Sequence, residues 1–170
     1  MRITTARLIR TKKMEPIYIG NKELLNLPKT AFLSSRKISS DAVMKCYDWA
    51  TEMREQGVCV MSGFHSKLEK DVFHFLSKGT QPIIVVLGRM MYKITPREWE
   101  KPLSENRLLI VSTNPTGTRH SLQSAETRNR YITKNAEKVV FGCLNTKSSL
   151  YYLYQELLVN EMNVTVLNSL

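Results

Sequence analysis

The stretch Ile83-Ile84-Val85-Val86-Leu87-Gly88-Arg89 decides how the whole chain is read. Five consecutive apolar residues, most of them β-branched, form a strand with no polar side. Such a strand belongs inside a sheet covered on both faces, as parallel sheets are. The same pattern recurs outward in both directions. Upstream, Val58-Cys59-Val60-Met61 and Thr30-Ala31-Phe32-Leu33 read as buried strands. Downstream, Leu108-Leu109-Ile110-Val111 and Val139-Val140-Phe141 do so too, and Val164-Thr165-Val166-Leu167 reads as a terminal strand.

Helical patterns fill the gaps. Ser39 or Ser40 caps a helix whose apolar positions Ala42, Cys46, Trp49, Ala50 and Met53 share one face, with Gly57 as its stop. Ser66-Lys67-Leu68-Glu69 is a capping box opening a helix with Leu68, Val72, Phe75 and Leu76 inward and Gly79 at its end. Thr95-Pro96-Arg97-Glu98 supplies a cap, a first-turn proline and a third-position glutamate for a short helix. A further helix is expected from about Ser121 to Asn135. Ser149 is expected to cap the last one, with Leu150, Leu153, Leu157 and Leu158 inward. With right-handed crossovers this order predicts an α/β fold: a Rossmann-like, doubly wound, mostly parallel sheet with helices on both faces.

A chain of 170 residues suffices for one domain with a full core. We expect that domain to span residues 14–170, behind a basic N-terminal arm at 1–13. No stretch approaches the roughly 20 apolar residues of a membrane span, so no membrane partner is expected. Met1-Arg2-Ile3-Thr4 lacks the apolar core of a signal peptide, which makes the cytoplasm the expected address. Cys46, Cys59 and Cys143 form no CxxC pair, and His65, His74 and His120 are scattered, so neither a metal site nor a cofactor is expected. The charge is more telling. There are 25 Lys plus Arg against 15 Asp plus Glu, a net of +10, and the pI is near 9.7. A pI above roughly 9 is the electrostatic footprint of a nucleic-acid binder. Ordinary solubility charge is the competing explanation.

Ligands of open α/β sheets bind outside the carboxyl ends of the strands. After the strand at 30–33 come Ser34, Ser35, Arg36 and Lys37. After 58–61 come Ser62, Gly63, Phe64, His65, Ser66 and Lys67. Gly88 and Arg89 follow 83–87, a Thr/Gly-rich loop ending in Arg119 follows 108–111, and Lys147 and Ser148 lie after 139–141. These loops are nearly free of carboxylates and rich in hydroxyls, glycines and cations. Helix N-termini add unpaired N–H groups and partial positive charge, and arginine adds a two-pronged fork for phosphate. The set predicts a phosphate-binding rim. A Ser-Gly turn before a helix is, taken singly, only a cap. Phe64 and His65, in a rim loop, are the candidates for stacking on bases. Arg128-Asn129-Arg130 falls inside a predicted helix, where residues two apart face different sides; without further context it reads as a solvated basic face.

Together these segments resemble the DNA processing protein A (DprA/Smf) family over about residues 14–168. Glu15 to Asn21 with Leu24-Leu25 is similar to the family's lead-in. Thr30 to Lys37 resembles its first strand and Gly-Ser-Arg turn, Val60 to Phe64 its second strand and Ser-Gly turn, and Ile84 to Gly88 its strand ending in Leu-Gly. Arg128-Asn129-Arg130-Tyr131-Ile132 resembles its Arg-Asn-Arg segment, and Ser148-Ser149-Leu150 its Gly-Ser-Leu turn. Ser34 stands where the family has glycine, and Ser66-Lys67-Leu68-Glu69 where it has Arg-Gly-Ile-Asp. The resemblance implies single-stranded DNA as partner, delivered to a recombinase during DNA uptake. It also implies backbone contacts from Arg36, Ser62, Gly63, Arg128 and Arg130, with Asn129 orienting the loop or touching a base.

Three alternatives use the same sequence. A sensor domain would bind a free nucleotide at the same rim. A nucleotide phosphoribohydrolase would need a Pro-Gly-Gly-x-Gly-Thr-x-x-Glu loop, where this chain reads Leu144 to Tyr152 without its glycines or its glutamate. No catalytic constellation replaces it, so a non-enzymatic role is expected. An interaction module, including a homodimer, would use Tyr151, Tyr152 and Tyr154, for which packing of the helix on the sheet is the plainer explanation.

Overall fold

A computed structural model describes residues 14–169; the expected basic arm at 1–13 lies outside them. Seven strands form one sheet: β1 (Ile17–Gly20), β2 (Lys29–Leu33), β3 (Cys59–Ser62), β4 (Ile83–Leu87), β5 (Leu108–Ser112), β6 (Lys138–Phe141) and β7 (Asn163–Val166). Their order is β1-β5-β4-β3-β2-β6-β7. Every pair is parallel except β1 with β5. The helices are α1 (Ser40–Gln56), α2 (Lys67–Ser77), α3 (Arg97–Ser104), α4 (Leu122–Lys134) and α5 (Ser149–Val159).

Alternate residues of the apolar strands feed two separate cores. On one face Phe32, Val60, Ile83 and Val85 pack with Cys46 and Trp49 of α1, with Leu68, Val72, Phe73 and Leu76 of α2, and with Trp99 of α3. On the other, Ala31, Leu33, Met61, Ile84 and Val86 pack with Ile132 of α4 and Leu157 of α5. The doubly wound, mostly parallel α/β fold is therefore the one its strand pattern predicts.

The helix signals differ in how well they hold. Ser39 caps α1, its Oγ accepting from Ala42 N–H (3.2 Å), and Gly57 ends the helix in a left-handed conformation (φ 71°). Ser121 and Ser124 cap α4 reciprocally. At α3, however, Pro96 rather than Thr95 takes the capping position, and no side chain satisfies the first N–H groups. At α5 the cap is Ser148, not Ser149. Phe73, not Phe75, takes the core position of α2; Phe75 lies at its margin against Tyr47 (ring centroids 4.8 Å apart). Leu158 points outward at 49 % exposure. Strand β1 was not expected. Its burial pattern is that of a solvated edge, and only pairing with β5 makes it a strand.

Candidate nucleic-acid interface

The crossover helices α1 and α5 leave β2 and β6 on opposite faces, so the switch in strand order falls between those two neighbours. That crevice is the default ligand site of such sheets. Here it is stapled shut. Ser35 N–H donates to the Cys143 carbonyl (2.8 Å), Cys143 N–H to Ser34 Oγ (3.2 Å) and Asn145 N–H to Ser35 Oγ (3.0 Å). The Ser35 and Ser148 hydroxyls are 3.0 Å apart. Ser34 and Ser35 are buried. The geometry makes these serines ties between two loops, and an open pocket lies one strand further over. There a pocket of about 360 Å³ is lined by Ser35, Arg36, Ile38, His65, Ser66, Lys67 and Leu68.

The floor of this region is built on the β3–α2 turn. Ser66 Oγ accepts from Glu69 N–H (3.2 Å) and donates to Glu69 Oε2 (3.0 Å). Glu69 is only 1 % exposed. Ser62 Oγ lies 3.5 Å from its other oxygen, and His65 Nδ1 lies 3.1 Å from Oε2. The rim's one buried carboxylate is thus held by the hydroxyls beside it. Phe64 has a positive φ of 44°, which turns its ring into the core edge-on to Phe73 (5.2 Å). It cannot stack on a ligand base, contrary to the expectation from its place in a rim loop. Lys67 is exposed and pairs with Asp71 (3.4 Å).

From the other side of the sheet, α4 lays Arg128 across the strand ends. A methyl group on Gly63 would sit 3.2 Å from Arg128 Cδ and Nε, and one on Gly88 would sit 3.0 Å from the Ser124 carbonyl and 3.5 Å from Arg128 Cβ. The two glycines give α4 this close approach. Arg128 is only 4 % exposed; its one hydrogen bond among the described residues is from Nε to Asn129 Oδ1 (3.2 Å). Burial lowers its pKa, Glu69 acts the opposite way and Arg36 lowers it further. His120, one residue before the α4 cap, has its pKa lowered first by burial and then by Arg128, His65, Arg89 and Arg36. Its ring centroid is 6.4 Å from that of His65. The structure therefore brings Arg36, Arg89, Arg128, His65 and His120 together at one edge. The sequence gives no sign of His120 because its neighbours come from three other loops and a helix.

Other expected residues lie elsewhere. Arg130 faces away on α4, its Nε donating to Glu126 (3.2 Å) and its Nη1 to Glu156 of α5 (3.0 Å). Both partners raise its pKa. Its two carboxylates make it an ion-pair residue, as the two-residue spacing from Arg128 forewarned. Lys37, Arg119 and Lys147 are exposed loop cations. Among the described residues no group of three His, Cys, Asp or Glu could hold a metal ion, and no helix is long and apolar enough to cross a membrane.

Fold and rim define a Rossmann-like α/β domain with a cationic edge at its strand ends. The chain belongs to the DNA recombination-mediator protein A family, whose model matches residues 7–149. Among solved structures it is similar to DNA processing protein A from Streptococcus pneumoniae, with 18 % identity and a TM-score of 0.73, over 89 % of this chain and 54 % of that one. The chain thus spans about half the length of that relative. It is similar also to DNA processing protein A from Helicobacter pylori, a structure titled for its single-stranded DNA binding mode, with 16 % identity and a TM-score of 0.73, over 98 % of this chain and 78 % of that one. The molybdenum cofactor binding protein of Rippkaea orientalis shares the fold more loosely (11 % identity, TM-score 0.60, 83 % and 76 % covered). No curated protein sequence matches the chain.

Proposed function

We propose that this domain binds the phosphate backbone of single-stranded DNA along the edge carrying Arg36, Arg128, His65 and His120, as the DNA-holding part of a DNA-processing or recombination system. The observation that carries this reading is the convergence of Arg36, Arg89 and Arg128, from two loops and a helix, on one edge beside His65 and His120. Arg36, Arg89 and Arg128 outnumber Glu69, the carboxylate that offsets Arg128, and an anion relieves the repulsion that remains. The role is binding rather than catalysis: Glu69, the acidic group at the rim, is committed to Ser66 and Ser62. A recombinase and a second copy of the chain are the partners such a role calls for.

The test is anisotropy of a labelled oligonucleotide competed with unlabelled single strands, duplex and mononucleotide at two salt concentrations. Single strands should compete best, and affinity should fall with salt at a slope of roughly −0.7 per phosphate neutralised. If a mononucleotide competes as well as the strand does, a free-nucleotide sensor is the better reading; the half-open pocket of about 360 Å³ is the feature that favours it.

Protonation supplies a second check. His120 sits below its ordinary value of 6.5 because of burial first and then its neighbours Arg128, His65, Arg89 and Arg36. A bound phosphate favours the protonated ring, so binding takes up a proton and should tighten as pH falls from neutral to mildly acidic. His120→Ala should flatten that dependence in a binding titration at several pH values. In the empty protein the sign reverses. The fold favours the neutral ring, so its contribution to stability is intact above about 6.5 and is lost as pH drops below it.

A further inference from the structure

The rim cations can hold phosphates, but they leave unexplained what holds the bases. Phe64 is buried, and His65 is turned toward Glu69. The β4–α3 loop offers a different aromatic group. Its backbone is anchored: the Arg89 carbonyl accepts from Ser112 Oγ, Met90 N–H donates to the Gly117 carbonyl (2.9 Å), and Thr113 N–H donates to the Leu87 carbonyl (2.9 Å). The Arg89 guanidinium carbon sits 4.5 Å from the centroid of the Tyr92 ring. Tyr92 is braced by Trp99, their centroids 5.7 Å apart at 59°, and Trp99 is itself buried in the core. Tyr92 nevertheless remains 39 % exposed, and Ile94 beside it 86 %. Arg89 is one of the cations that His120 senses, so this loop borders the phosphate edge.

We propose that Arg89 and Tyr92 form a stacking platform for a nucleobase of a strand whose phosphates lie along the rim, with Ile94 as its apolar margin. The proposal rests on the single-stranded DNA reading above and adds to it the group that meets the base. A tyrosine already held by a neighbouring indole and a guanidinium loses little conformational freedom when a base settles on it. With the guanidinium over the ring, a base would settle on the half-buried guanidinium or on the exposed part of the tyrosine, both groups of the kind that receive bases without regard to their identity. The phosphate edge and the platform would then share the work, the first setting salt dependence and the second the gain from having bases at all.

Two oligonucleotides of equal length separate these contributions, one of thymidines and one abasic, carrying the same phosphates. The parent should bind the thymidine strand more tightly. Tyr92→Ala should weaken the thymidine strand about tenfold, leave the abasic strand within about twofold, and keep the salt slope. Tyr92→Phe should behave as the parent, since the ring and not the hydroxyl stacks. Thermal melting of each variant reports the fold. If Tyr92→Ala binds both strands as the parent does, or weakens both equally, the platform is refuted. In those cases the phosphate reading stands provided that Arg128→Ala still weakens both strands. If the parent binds neither strand, or Arg128→Ala changes neither, the DNA reading fails and takes the platform with it.

Discussion

Arg128→Ala should weaken single-stranded DNA binding by roughly ten- to a hundredfold, the range expected for losing a charge-assisted contact at a partly desolvated site, while Arg130→Ala should leave it within about twofold. The two arginines are two residues apart in one helix and have opposite surroundings. Arg128 is buried over the Gly63 turn, with Arg36 and His120 as neighbours. Arg130 is already paired with Glu126 and Glu156 on the outer side of α4. Because Arg128 also offsets Glu69, the alanine variant leaves a buried carboxylate with less compensation and should melt lower. Arg128→Ala combined with Glu69→Gln removes that charge. If the double variant regains the parent's melting temperature and still fails to bind, the loss belongs to recognition and not to folding. Equal effects of Arg128→Ala and Arg130→Ala in a binding titration would sink the assignment.

That contrast marks how far the site was legible. Strand order alone puts Arg36, the Ser62-Gly63 turn, His65, Ser66 and Arg89 on one edge, because a parallel sheet sends every strand end the same way. It could not say which hydroxyls were already in use. Ser34 and Ser35 look like anion-binding groups in the sequence, and become loop ties only once β2 and β6 are neighbours. Phe64 looks like a stacking group until its positive φ turns it inward. Helical spacing correctly set Arg128 and Arg130 apart, but which of them faced the rim depended on the angle at which α4 crosses the sheet. Spacing carries no information about that angle.

The fold was more legible than the site, for a physical reason. Strands buried on both sides carry their own signature, so β2 to β6 could be read within a residue or two at either end. β1 carries no such signature: Ile17 and Ile19 are 44 % and 47 % exposed, and β1 is held by backbone hydrogen bonding to β5. The caps of α3 and α5 failed in a similar way. Thr95 and Ser149 sit where a hydroxyl would serve, but the chain enters each helix one residue away from the expected cap.

Gly142→Ala should lower stability by about 2–3 kcal/mol, an overpacking cost, and the melting temperature by roughly 4–12 °C for a domain of this size. Gly142 ends β6 at the closed crevice, its N–H donating to the Leu33 carbonyl (2.8 Å). A methyl group there would lie 2.6 Å from Phe32 Cζ and 2.7 Å from Cys46 Sγ. Neither can easily move. Phe32 is stacked on Trp49 at 4.9 Å, and Cys46 is fully buried in α1. The strain should therefore pass into the backbone of Cys143, whose N–H and carbonyl tie it to Ser34 and Ser35, and Arg36 follows directly in the chain. DNA affinity should fall together with stability, although Gly142 touches no ligand-facing group. Gly57→Ala is the comparison. It meets nothing within 4 Å and carries only the penalty of its left-handed φ of 71°, about 1 kcal/mol. Phe32→Leu, which frees the space the methyl group needs, should recover part of the Gly142→Ala loss in urea denaturation. If Gly142→Ala melts with the parent, the crevice has slack that its packing denies, and the serine ties do not fix Arg36.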